Sequence, residues 1–324
     1  MRLAYFGSDT FSILCLKRLL PLNSNFLLDI VTRHPKPSGR GLLSLKDLPI
    51  ADFANRNNIN LLRVDSKAEF EAIKGKYDLC IAVSYGKLIP STFLSSLTYG
   101  GLNVHPSLLP KYSGPAPLHR ALLNNDSITG VSVQTLHPTE FDKGDVLARE
   151  EYTIKENETL DSLTETLAIM GGDLLNNIVK KSLFDKSNPN YRVLKPDLPF
   201  SYAAKVSSTD NQIIWKNATV QSIMRKYGVL HKLHTFKPCI PKKKSTATTK
   251  RVVLGNIQPS SSPLDSSLPN GSFRLLDDST LEIKVSDGFI KVDELKTEGF
   301  GSDTPAKFIS SLKKKFNNTD NYFI

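Results

Sequence analysis

Apolar positions set the first expectations for this chain. Arg2-Leu3-Ala4-Tyr5-Phe6-Gly7 is a short apolar run ending in glycine and reads as a buried strand. Ser8-Asp9-Thr10 supplies helix N-cap side chains, and Phe11, Leu14, Leu16, Leu19 and Leu20 follow at roughly helical spacing. Leu28 to Thr32 predicts a second strand, Pro49 to Asn57 a helix, Asn60 to Val64 a short strand and Ala68 to Lys74 a helix. Asp78-Leu79-Cys80-Ile81-Ala82-Val83 is nearly continuous in apolar residues, as in a strand covered on both faces. A strand from Leu102 to His105 and a helix from about Ala116 to Leu123 come next. Val131 to Leu136 alternates like a strand, and Val146 to Tyr152 forms another. Leu163, Leu167, Met170, Leu174 and Ile178 mark an amphipathic helix from Leu160 to Val179. Strands alternating with helices, without repeats, predict an α/β fold with a Rossmann-like, mostly parallel sheet.

The pattern changes after Ser182. Asn188, Pro189, Asn190, Pro196 and Pro199 interrupt any period, so 183–199 reads as a linker. A helix over about Thr219 to Lys226 precedes short β-like pieces at 251–254, 271–276, 280–285 and 289–295, with a hairpin signal at Asp287-Gly288. These predict a small antiparallel barrel, with Ser260 to Ser267 as a polar, mobile insertion and Phe308 to Phe316 as a final helix. The expected domains are 1–182, and 200–324 beyond the linker.

Charge sharpens this division. The net charge is +10. Up to Ser182 there are 20 Lys and Arg against 19 Asp and Glu; from Leu183 onward there are 22 against 13. A basic second half suits a polyanionic partner, or is equally a solvated basic surface. Cys15, Cys80 and Cys239 lie far apart with no CxxC, which argues against a disulfide framework or a metal site and for a reducing compartment. No apolar run reaches the roughly 18 residues of a membrane span, so no membrane partner is expected. Glycine follows the first strand, but GxGxxG is missing, so a nicotinamide cofactor is not expected.

The chain is organised around Leu102-Asn103-Val104-His105-Pro106-Ser107-Leu108-Leu109-Pro110-Lys111-Tyr112-Ser113-Gly114-Pro115-Ala116-Pro117. Strand alternation puts Asn103 and His105 on one side. Pro106 stops the strand, and Pro110, Gly114, Pro115 and Pro117 stiffen the loop that follows. An amide and an imidazole are thus held together at a strand's carboxyl end, where ligands bind in open parallel sheets. Taken alone, such a histidine is more often structural, and Asp142 in Asp142-Lys143-Gly144-Asp145 more often a turn former.

The conjunction of this stretch with Val83-Ser84-Tyr85-Gly86-Lys87-Leu88-Ile89-Pro90 and Glu140-Phe141-Asp142-Lys143-Gly144-Asp145 resembles the folate-dependent formyltransferases, over nearly the whole chain. The resemblance implies a formyltransferase fold followed by an OB-like barrel. It implies formyl transfer from 10-formyltetrahydrofolate to the α-amino group of initiator methionyl-tRNA, with no metal. Asn103, His105 and Asp142 would be catalytic. Val83, Ser84, Tyr85, Gly86, Leu88, Ile89 and Pro90 would form the pterin pocket, with Ser107, Leu108, Leu109 and Pro110 in a second folate loop. Arg40, between Gly39 and Gly41, would wedge into the tRNA acceptor end with Lys36 nearby, and Lys242, Lys243 and Lys244 would hold tRNA from the barrel. Many family members carry arginine where this chain has Ser113, which implies a compensating contact or weaker tRNA binding. The opening Phe6-Gly7-Ser8-Asp9-Thr10-Phe11 looks more like mitochondrial relatives. The expected location is therefore the mitochondrial matrix, with any transit peptide outside this numbering; the alternative is the cytoplasm. A monomer is expected.

The chemistry suits these residues. Formyl transfer passes through a tetrahedral oxyanion that needs an aimed donor and proton management near neutral pH. Asn103 has an amide N–H to give, His105 can donate a hydrogen bond or a proton, and Asp142 orients or charges the imidazole. The rival readings are a formyltransferase for a small amine, or a tRNA-binding protein with an inactive site.

Overall fold

The apolar run that opens the chain is paired on both sides, as a strand without a polar face requires. The computed structural model describes residues 1–21, 26–38, 44–242, 246–317 and 320–324. Their contacts divide into two units, Met1–Lys205 and Val206–Ile324.

In chain order the first unit contains β1 (Arg2–Gly7), α1 (Thr10–Leu19), β2 (Leu27–Thr32), β3 (Lys36–Ser38) and β4 (Ser44–Lys46). Then come α2 (Pro49–Arg56), β5 (Leu61–Arg63), α3 (Lys67–Ile73), β6 (Leu79–Val83), α4 (Ser91–Leu94) and β7 (Gly101–His105). α5 (Pro117–Leu123), β8 (Ile128–Thr135), β9 (Val146–Thr153) and α6 (Leu160–Lys180) complete it. Seven strands form one sheet in the order β5-β2-β1-β6-β7-β8-β9. Pairing is parallel from β5 to β7 and antiparallel where β8 and β9 are added. The predicted mostly parallel sheet is thus present. Side chains set the helix starts: Asp9 caps α1, and Ser66–Glu69 and Thr159–Ser162 form capping boxes on α3 and α6. Gly171 and Gly172 of α6 let that helix approach β7 and α1: a methyl on Gly171 would lie 2.7 Å from Val104, and one on Gly172 would lie 2.7 Å from Arg18.

Strand order runs outward in both directions from β1 and β6. The crevice at their carboxyl ends is the topological switch point. Ser8, just past β1, donates its hydroxyl to the Tyr85 carbonyl past β6 at 3.2 Å and ties the two exits together.

The stretch expected as a linker, 183–199, and the following 200–205 are fastened within the first unit. Leu194 N–H donates to the Val146 carbonyl at 2.8 Å, and Arg149 pairs with Asp197 at 2.6 Å. Sequence reading ended the first domain at Ser182 and began the second at 200, beyond the linker; the contacts divide between Lys205 and Val206.

The second unit contains α7 (Val220–Leu230), β10 (Leu233–Cys239), β11 (Thr248–Gly255), β12 (Gln258–Pro259), β13 (Phe273–Asp277) and β14 (Thr280–Val285). β15 (Gly288–Val292), β16 (Glu294–Thr297), β17 (Ser302–Asp303) and α8 (Pro305–Lys315) follow. The barrel expected from sequence is built as two four-stranded antiparallel sheets, β10-β11-β16-β17 and β12-β15-β14-β13. They share one core that includes Trp215, Leu254, Phe273, Ile283, Phe308 and Phe323. The stretch expected as a polar insertion, Ser260–Ser267, is anchored at its first residue. Ser260 N–H donates to the Phe289 carbonyl at 3.0 Å, and its hydroxyl donates to Glu282, which is fully buried and paired with Arg274 at 2.7 Å. Among the described residues no helix is long and apolar enough to cross a membrane.

Candidate active site

Asn103 and His105 stand two apart on β7, so they share one face of the sheet. Opposite them on β8 lie Gln134 and Ser132, by the pairings Asn103↔Gln134 and His105↔Ser132. Apolar Val104 pairs with Val133 and faces the α6 side. One face of two central strands thus carries four polar side chains at the switch-point end.

Asp142 arrives from the loop between β8 and β9. Its backbone is left-handed, φ 55°, a conformation that Asp tolerates better than most residues. Gly144 makes the loop tight: a methyl there would lie 1.7 Å from the Thr135 carbonyl oxygen. The loop base is closed by Thr135 N–H donating to the Asp145 carbonyl at 2.8 Å and Asp145 N–H donating to the Thr135 hydroxyl at 2.9 Å. Asp145, the other acid of this loop, has its backbone held at that base, and Asp142 is the one delivered to His105. Asp142 Oδ1 lies 3.3 Å from His105 Nδ1. Gly114 N–H donates to Oδ2 at 2.8 Å, and Gln134 Nε2 donates to Oδ1 at 3.3 Å.

The second imidazole nitrogen fixes the proton arrangement. His105 Nε2 lies 2.9 Å from the Tyr112 carbonyl, an acceptor, so Nε2 carries a hydrogen and donates it. Nδ1 is then the nitrogen at which a proton is gained or lost, and Asp142 faces it. His105 is buried, while Asn103 is half-exposed and its amide makes no hydrogen bond with another described residue. The amide is therefore free for a ligand.

Sequence reasoning missed Gln134 and Arg149. Gln134 is buried, and its Oε1 has no hydrogen-bond partner among the described residues. The available signal was a polar residue at the alternating position of Val131-Ser132-Val133-Gln134. Arg149 braces the site from β9 by donating to the Leu109 carbonyl at 3.0 Å. A cavity of about 240 Å³ adjoins Asp142, lined among others by Pro110, Ser113, Lys143, Arg149 and Lys195.

The loop after β6 alternates. Val83, Tyr85 and Ile89 are buried anchors, with the Tyr85 hydroxyl donating to the Val64 carbonyl, while Ser84, Gly86 and Leu88 are exposed and Pro90 caps α4. Gly86 has φ 77°, and the Arg33 guanidinium lies beside it: a methyl on Gly86 would meet its carbon at 3.6 Å. Of the second loop, Ser107, Leu108 and Leu109 are buried. The Ser107 hydroxyl donates to the Lys111 carbonyl at 2.7 Å, and Ser132 bridges the loop by donating to the Ser107 carbonyl and accepting from Leu109 N–H. These two hydroxyls are engaged with the loop, while Leu109 and Pro110 line the cavity beside Asp142. Ser113 is also buried, its hydroxyl donating to the Pro110 carbonyl at 3.3 Å.

Lys36 and Lys242 are exposed. Lys36 lies on the β3–β4 hairpin, paired with Lys46. Arg40, Lys243 and Lys244 lie outside the described residues. Elsewhere, donor atoms of His34, Asp65 and Glu69 cluster within 4.8 Å of one another. They are already engaged: Glu69 accepts from Asp65 and Ser66 N–H and pairs with His34, and Lys87 lies 3.3 Å from Asp65.

An amide donor, an imidazole and an oriented carboxylate at the carboxyl ends of a mostly parallel sheet define a group-transfer enzyme of α/β class. A family profile described as formyl transferase matches residues 1–179. The mitochondrial methionyl-tRNA formyltransferase of Saccharomyces cerevisiae is 30% identical, over 97% of this chain and 90% of its own length. The methionyl-tRNA formyltransferase of Caldicellulosiruptor saccharolyticus is 28% identical, over 97% and 98%. Among solved structures, WlaRD, a sugar 3N-formyl transferase in the presence of dTDP and 5-N-formyl-THF, shares the fold with a TM-score of 0.58 and 16% identity, over 93% of this chain and 98% of that one. The chain belongs to the formyl transferase family, and within it to the methionyl-tRNA formyltransferases.

Proposed function

We propose that the chain transfers the formyl group of 10-formyltetrahydrofolate to the α-amino group of initiator methionyl-tRNA in the mitochondrial matrix, acting as a monomer. The observation that carries the chemistry is the convergence of Asn103, His105 and Asp142, with Asp142 3.3 Å from the imidazole. The full-length similarity to the yeast mitochondrial enzyme supports the substrate and the compartment.

In this reading the neutral amine attacks the formyl carbon, and the carbonyl π electrons move onto oxygen. Asn103 donates its N–H to that oxyanion, the role in which one aimed donor has most effect. The amine's proton passes to the His105–Asp142 pair at Nδ1, directly or through a water. Collapse reforms the carbonyl and breaks the bond to folate N10, which takes a proton. An α-amino group has an ordinary pKa of about 7.7–8.0, so a good share is already nucleophilic near neutrality. The protein's task is mainly positioning. Exposed Ser84, Gly86 and Leu88 on buried anchors suit the rim of a slot for the flat pterin ring. The basic second unit, with Lys242, Lys243 and Lys244, and the hairpin region with Lys36 and Arg40 would hold the tRNA.

The test is incubation with 10-formyltetrahydrofolate and methionyl-charged initiator tRNA, scoring formylmethionine after deacylation. Elongator methionyl-tRNA and His105→Ala run beside it. Product with initiator tRNA alone, lost in the variant, is the expected result. Tight, salt-sensitive tRNA binding without product would sink the enzyme reading.

A further inference from the structure

Beside Asp142 runs an extended segment that carries two exposed aromatic rings on a fixed backbone. Ser201 N–H donates to the Pro110 carbonyl at 3.3 Å, Ser113 N–H to the Ser201 carbonyl at 3.0 Å, and Ala203 N–H to the Ser113 carbonyl at 2.7 Å. Ala116 N–H donates to the Ala203 carbonyl at 3.2 Å, and Tyr112 N–H to the Ser201 hydroxyl at 2.9 Å. Arg120 holds the far end through the Ala204 carbonyl. Ala203 is fully buried against Tyr112 and Ala121. Strand alternation turns the neighbours outward: Phe200 is 55% and Tyr202 62% exposed.

A single exposed aromatic residue needs no explanation. These two share a side of a strap anchored to the loop that positions the acid. The Tyr202 ring lies against Gly114, whose N–H holds Asp142: a methyl on Gly114 would be 2.6 Å from that ring. Lys143, next to Asp142, places its ammonium 4.1 Å from the centre of the Phe200 ring. Lys143 and Lys195 both line the cavity beside Asp142. Rigid rings interleaved with cations are the composition of a surface that stacks unpaired bases.

We infer that Phe200 and Tyr202, with Lys143, form the stacking platform for the unpaired 3′-terminal nucleotides of the charged tRNA. The inference rests on the function proposed above and deepens it. The occupant follows from the substrate's covalent structure. The amino acid is esterified to the terminal ribose, so an amine brought to Asn103 and His105 carries the terminal base with it. The rings then face a base, and Lys143 and Lys195 face the backbone phosphates.

The test uses initiator tRNA with 2-aminopurine in place of the terminal adenine, whose fluorescence falls on stacking. The full-length wild type should quench it, and Tyr202→Phe should quench it equally. Tyr202→Leu and Phe200→Leu should lose most of the quench and raise KM for methionyl-tRNA by about tenfold, with kcat little changed. Tyr202→Gln replaces either leucine variant that fails to fold. Absence of quenching with wild type, or full quenching and unaltered KM in the Leu variants, overturns the platform and assigns the rings to another partner. Failure of wild type to formylate would overturn the proposed reaction instead, and the fluorescence would still judge the platform.

Discussion

The backbone N–H of Gly114 donates to Asp142 Oδ2 at 2.8 Å, across twenty-eight positions of chain. Asp142 is thereby gripped on both oxygens: Oδ2 by Gly114, and Oδ1 by Gln134 at 3.3 Å beside His105 Nδ1 at 3.3 Å. A carboxylate held this way keeps its face to the imidazole without substrate. Asp142→Asn keeps size and some of these contacts but removes the charge opposite Nδ1. The expected result is a fall in kcat on the order of 10²- to 10⁴-fold, the range for losing acid–base assistance, with the melting temperature little changed. Steady-state formylation with saturating folate measures it, and an unchanged kcat would remove Asp142 from proton handling.

Gly114 itself offers the second prediction. Its φ is 118°, and a methyl there would meet the Tyr202 ring at 2.6 Å and the Ala203 carbonyl at 3.0 Å. Gly114→Ala therefore strains the backbone and lifts the strap at once. Stability should drop by more than about 1 kcal/mol, and kcat should fall as the N–H moves off Asp142. Calorimetry and the same assay give both readings. Loss of stability with full activity would show that this N–H does not position the acid.

Much of this was legible in the sequence. Period-two alternation was enough to put Asn103 and His105 on one face, and the apolar run of β6 was enough to place it inside the sheet. What escaped has physical reasons. β10 carries Pro238 and buried Lys237, so its pattern did not alternate cleanly. Gln134 is a site residue only because β8 runs antiparallel to β7 in one register, a long-range fact. The prolines of 183–199 were read as a linker because the acceptor that holds Leu194, on Val146, is a backbone group with no signature in sequence.

A third prediction concerns tRNA affinity. Lys36 and Lys242 are exposed, and no ion pair of either is seen among the described residues. If they neutralise phosphates, Lys36→Ala and Lys242→Ala should each raise KM for tRNA, leave kcat alone and lower the slope of log affinity against log salt by about 1. Filter binding at several salt concentrations reads the slope. An unchanged slope would mark that lysine as a solvated surface charge.

The acid side of the stability curve supplies the last prediction. Glu69 accepts Asp65 N–H at 2.8 Å and Ser66 N–H at 2.9 Å, and lies 2.7 Å from His34 Nε2. The backbone donor at Asp65 comes first and the His34 hydrogen bond second in pulling its pKa from 4.5 to about 2. A carboxyl with a depressed folded pKa stabilises the fold above its unfolded pKa. That contribution is lost as pH falls from about 5 through the folded value. Glu69→Gln keeps the shape of the α3 cap and removes the ionisation. The variant should be less stable than wild type near neutrality, and the gap should close steadily below about pH 5. Urea midpoints across that range measure it. A gap independent of pH would mean that Glu69 acts through packing and neutral hydrogen bonds, and that its charge adds nothing to the anchor joining the β5–α3 turn to the exit of β2.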